Sequence, residues 1–109
     1  MKLYFKKEMI VTVKTVAYER NGKKLSFNKL ETAIKGERFT VKMSMDFAQQ
    51  NGIEVDKYKN GQMFIFKEVK FTTDTRTIFP VLWLKKITEI VPYDLNNIDE
   101  LDYIDIDNE

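Results

Sequence analysis

Apolar and polar residues alternate with a period of two over most of this chain, which is the signature of half-buried strands rather than of helices. The first such stretch is Met9-Ile10-Val11-Thr12-Val13-Lys14-Thr15-Val16-Ala17-Tyr18, rich in β-branched residues and free of Gly and Pro. Met9, Val11 and Val13 share one face, while Val16 and Tyr18 fall on the other. A bend or bulge near Lys14–Thr15 is therefore expected, to keep the apolar side inward. Asn21-Gly22 marks a tight hairpin turn. The second strand is predicted over Lys24–Leu30, and Gly36 marks the next turn.

Phe39, Val41, Met43 and Met45 alternate with Thr40, Lys42 and Ser44, which predicts a third strand. Asp46–Gly52 reads as a short helix, with Asp46 at its cap, Gln49 completing a capping box and Gly52 closing it in the left-handed conformation. Polar residues lead to Gly61. A fourth strand is predicted over Gln62–Phe71, a turn over Thr72–Thr77 and a long apolar strand region from Ile78 to Val91. Pro80 puts the start of that region at an edge or bend. In the fourth strand Phe64 and Phe66 oppose Met63, Ile65, Val69 and Phe71, so both faces are apolar in its first half. One of them is expected to cover a ligand, the helix or another subunit.

Composition narrows the chemistry. The 109 residues fit one domain, and with 43% apolar and 32% charged residues the balance is globular. There is no cysteine and no histidine, which removes disulfides, dithiol redox chemistry, structural zinc and the commonest acid–base catalyst. Neither of the two serines, Ser26 and Ser44, lies in a nucleophile-elbow context. Glu54 and Asp56 are the only hint of carboxylate–metal chemistry, and they lie in a polar loop as ordinary solvated charges. The expectation is a protein that is not an enzyme and needs no cofactor or metal. The N-terminus, Met1–Lys7, lacks the apolar core of a signal peptide, and no apolar run is long enough to span a bilayer. A cytoplasmic protein without membrane contact is expected.

The net charge of +1 conceals a division. Residues 1–93 hold all 18 Lys and Arg against 10 acids, a surplus of +8. Residues 94–109 hold seven acids (Asp94, Asp99, Glu100, Asp102, Asp105, Asp107 and Glu109) and no base, which returns the total to +1. A basic body over 1–93 with a flexible acidic tail over 94–109 points to nucleic-acid binding. The competing reading is a tail that solubilises the chain or packs on its own basic body.

Three strands, a short helix and two further strands form the layout of the oligonucleotide/oligosaccharide-binding (OB) barrel. In that layout, and in its acidic tail, the chain resembles the small OB-fold single-stranded DNA-binding proteins of bacteria, their phages and conjugative plasmids. The resemblance covers residues 9–91 and implies a mainly β, five-stranded barrel with a role in DNA replication. It places Arg20, Lys23 and Lys24 in the first binding loop, Arg76 in the second, and Lys42 on the strand face between them. These are the expected phosphate contacts, with Tyr18, Phe27, Phe64 and Phe66 as the candidate stacking platforms. An aromatic in a strand is more often core than platform, and Trp83, sharing a face with Phe79 and Val81, is assigned to the core or a subunit interface.

The expected partner is single-stranded DNA, with RNA as the second candidate. Homo-oligomers are compatible with this reading. The tail would compete for the basic groove or recruit a protein. Members of the family end their tails in a small apolar tip, whereas Asp107-Asn108-Glu109 stands here, which weakens recruitment. The rival function is a protein-interaction module or inhibitor from a mobile element, acting through the acidic strip.

Overall fold

The computed structural model describes residues 2–93; the expected acidic tail lies outside them. Six strands form one sheet: β1 (Tyr4–Arg20), β2 (Lys23–Ile34), β3 (Glu37–Lys42), β4 (Met63–Asp74), β5 (Val81–Lys86) and β6 (Glu89–Pro92). The helix α1 (Met45–Gln50) and a 3-10 turn (Val55–Lys57) connect β3 to β4. Strand β1 pairs with β2 and also with β4, β2 with β3, β3 in parallel with β5, and β5 with β4. The five strands thus close on themselves as an OB-like barrel with one short helix, and β6 continues the sheet beyond β5 along β4.

Both early hairpins close through two-residue turns. Asn21 and Gly22 have φ of 54° and 77°, and Lys35 and Gly36 have 52° and 79°. Two consecutive left-handed residues match the twist of the flanking strands. The second strand is longer than predicted, Lys23–Ile34, because its half beyond Leu30 pairs with β3.

Met9, Val11 and Val13 point into the core with Leu30, Phe39, Val41, Leu82 and Leu84. No bulge forms at Lys14–Thr15, contrary to the sequence expectation. The β1–β2 register runs without a break from Thr12↔Glu31 to Arg20↔Lys23. Pairing of β1 with β4 ends at Thr12↔Met63 and that of β2 with β3 at Leu30↔Val41. Beyond those points β1 and β2 run on as a two-stranded ribbon, and Val16 and Tyr18 keep the outward face.

The change of face occurs instead at Glu68, whose φ is 51°. Phe64 and Phe66 before it and Val69 and Phe71 after it are all core residues. The expected opposition of these pairs is therefore corrected: one left-handed residue resets the alternation. Strand β1 shifts phase opposite it, and Tyr4 stacks on Phe71 with ring centroids 5.7 Å apart.

Strand β3 ends at Lys42, so Met45 is exposed rather than inward-facing. Ser44, not Asp46, caps α1; its hydroxyl accepts from the Phe47 N–H at 3.1 Å. Asp46 occupies the first turn, and Gly52 is left-handed as expected. Phe47 and Ala48 pack against the core, and the Ile53 N–H donates to the Ala48 carbonyl. Strand β4 continues to Asp74, moving the predicted turn to residues 75–80, and the single strand predicted over 78–91 divides into β5 and β6. Among the described residues no helix is long and apolar enough to cross a membrane.

Candidate nucleic-acid interface

Alternation along β2, β3 and β5 sends Leu30, Val41 and Leu82 inward and their neighbours outward. Lys42 is the Cα partner of Trp83 across the parallel β3–β5 pair. One step along the β2–β3 register from Leu30↔Val41, Lys29 and Lys42 come opposite each other on the same outer face. Phe27 lies two residues further along β2. Phe27, Lys29, Lys42 and Trp83 line one open hollow of about 370 Å³, with Met43 and Val55 at its margin. Phe27 is 48% exposed and Trp83 38%. Rings at these exposures keep part of their faces open to solvent.

The hollow runs onto the ribbon. Val16 is paired with Phe27 and Tyr18 with Leu25, so these four share the outward face. The Tyr18 and Phe27 rings lie 5.8 Å apart at 60°. Arg20 and Lys23 are partners at the ribbon's end, on that same face. The base of the ribbon is anchored by Asn28, which donates to the carbonyls of Val55 (2.9 Å) and Tyr58 (2.6 Å) and accepts from the Thr15 hydroxyl (2.6 Å). At the other end of the strip, the Thr40 N–H donates to the Pro80 carbonyl at 3.0 Å, joining the 75–80 loop to β3. Ile78 in this loop is 91% exposed, and Phe79 is exposed beside it.

Of the nine residues singled out from sequence, Lys42 and Phe27 line the hollow, and Tyr18, Arg20 and Lys23 extend its outer face. Four do not fit. Phe64 and Phe66 are 8% and 1% exposed in the core and present no ring to a ligand. Lys24 pairs with Glu19 and points to the ribbon's other face. Arg76 lies at the far end of the strip with its guanidinium held by Asp74, at 3.1 and 3.2 Å. That interaction, together with the Arg76 backbone N–H, holds the Asp74 carboxyl below its ordinary value.

Two residues of the hollow lie outside the sequence expectation. Lys29 forms an ion pair with Glu31 at 3.4 Å. Trp83 is expected from sequence in the core or a subunit interface, with Phe79 as its face-mate. Phe79 instead belongs to the loop, and Trp83 alternates with the buried Leu82 and Leu84. Lys85, two residues after Trp83 in β5 and exposed like it, is the sequence signal that marks this face as outward. No protein-family model matches the chain, and neither does any curated protein or solved structure with which it was compared.

Proposed function

We propose that the protein binds single-stranded nucleic acid, DNA in the first instance, without reading its sequence, and that it is not an enzyme. The observation that carries this reading is the single hollow in which two exposed rings, Phe27 and Trp83, flank two lysines, Lys29 and Lys42. Non-specific strand binding requires that combination: a π-face for each base, whatever its identity, and cations spaced along the backbone. The +8 surplus of residues 1–93 supplies the long-range attraction. The hollow is open and shallow, as an extended polymer requires, rather than an enclosed site for a small molecule. A role in replication in a phage or plasmid, and self-competition or recruitment by residues 94–109, belong to the same proposal.

The test is a titration of the full chain with labelled oligo-dT at low and raised salt, following Trp83 fluorescence alongside the label. Binding that weakens steeply with salt and quenches Trp83 supports the reading. Absence of binding at low salt rejects it in favour of an interaction module acting through its acidic strip.

A further inference from the structure

The outer face of β1, β4 and β6 carries a second pattern, distinct from the β2–β3–β5 hollow. Its residues lie in register across three strands. Glu8, Lys67 and Glu89 form one row, with the Lys67 ammonium 3.7 Å from the Glu89 carboxylate. Ile10, Ile65 and Val91 form the next. Thr12 and Met63 follow, with Tyr93 joined to Met63 by a 2.9 Å backbone hydrogen bond. Beyond them the chain preceding β4 is held to β1 by bonds of Gly61 and Gln62 to Val13 and by Asn60 to the Thr15 N–H. Lys14 and Lys59 stand at that end.

The centre of this face is apolar on the outside of the barrel. Ile10 is 45% exposed, and Ile65, Val91 and Met63 are only half-buried. The alternation of β1 and β4 offers inward positions already filled by Met9, Val11, Phe64 and Phe66, so packing of the barrel does not account for apolar residues here. One end of the strip carries Glu8 and Glu89 with Lys67 between them, a net charge of −1, and the other carries Lys14 and Lys59.

We propose that this face seats a second copy of the chain in a two-fold dimer. A two-fold axis running across the strands between the Ile10–Ile65–Val91 and Thr12–Met63 rows lays the apolar centre on itself. The same rotation brings the acidic end of one protomer over the basic end of the other. An isologous contact needs that self-complementarity. A polyanion is a poorer occupant, since the centre holds no cation and one end is acidic. The hollow lined by Phe27, Lys29, Lys42 and Trp83 stays open in this dimer.

Sedimentation equilibrium of the full chain from micromolar to millimolar concentration tests the proposal. The expected result is a rise from 12.9 kDa to twice that mass. I10E and the double reversal E8K/E89K should each abolish the rise. Adding K14E/K59E to the reversal should restore it, which a merely unfolded variant could not do. Because the chain has no cysteine, I10C supplies a unique thiol whose labelling should slow severalfold as concentration increases. A mass of one chain throughout overturns the proposal, as does a dimer indifferent to these variants. Shielding of the thiol that does not depend on concentration also overturns it, assigning the strip to the chain's own remaining residues. Shielding that appears only with oligo-dT overturns it in favour of nucleic acid.

Discussion

Lys42 and Trp83 are direct partners across the one parallel strand pair of the barrel. The pairing sets both side chains on the outer face, where they line one hollow, each held by a strand whose adjacent residue, Val41 or Leu82, is buried. Neither residue moves without disturbing the core beneath it, so the site is built on rigid elements rather than on a loop.

Loss of a stacking ring should cost affinity without costing the fold. Trp83→Ala and Phe27→Ala are each expected to weaken oligo-dT binding by about 1–3 kcal/mol. Anisotropy titration measures the loss, and unchanged circular dichroism shows the barrel intact. Wild-type affinity in both variants would remove the hollow from the binding reading.

The two lysines of the hollow should appear in the salt dependence. Each lysine that neutralises a phosphate adds about 0.7 to the slope of log K against log salt for a single strand. K29Q/K42Q is therefore expected to flatten the slope by about 1.4. K24Q, on the other face of the ribbon, should change it far less.

Phe66 provides the opposite case. Its truncation to alanine leaves a cavity among Met9, Val11 and Leu82 and is expected to destabilise the barrel by about 3–5 kcal/mol. Chemical denaturation should register that loss, with Phe27→Ala shifting the midpoint much less.

At Glu68 the backbone is left-handed, which costs a side-chain-bearing residue roughly 1–2 kcal/mol. Glu68→Gly relieves that strain at the expense of added unfolded-state freedom. A net stabilisation of a few tenths to about 1 kcal/mol is expected from thermal or denaturant melts. A marked destabilisation would mean that the Glu68 side chain, not its backbone, holds the change of face.

The Asp74 carboxyl is held below its ordinary value of 3.8 chiefly by the side-chain hydrogen bond from Arg76, with help from the Arg76 backbone N–H. A depressed folded-state value means that the interaction contributes fully above the unfolded value and fades as pH falls through the folded one. The effect is thus confined to pH below about 4. Carboxyl NMR titration should place the Asp74 midpoint below the ordinary range, and Arg76→Gln should raise it toward that range. D74N frees the guanidinium and is expected to strengthen oligo-dT binding modestly at low salt.

Much of this protein follows from local rules that a single chain displays. The alternation of Met9, Val11 and Val13 and of Phe39 and Val41 decides which side of each strand is buried, because period two leaves no choice once one face is apolar. Asn21-Gly22 and Gly36 decide the turns, since few residues accept a left-handed backbone. The order of strands and helix then suffices to expect a closed five-stranded barrel, and Lys42, Phe27, Tyr18, Arg20 and Lys23 are legible as outward residues of that layout. Tertiary structure alone decided the rest. Whether Val16 and Tyr18 turn inward depended on where β4 stops pairing with β1, a long-range matter that the alternation itself does not contain. The placing of Phe64 and Phe66 in the core with Val69 and Phe71 depended on one left-handed residue, Glu68, of a type that does not announce it. Trp83 joined Lys42, and Lys29 joined both, because strands distant in sequence came into register. Which side chains share a surface is set by that pairing, and pairing is a property of the closed sheet rather than of any one segment.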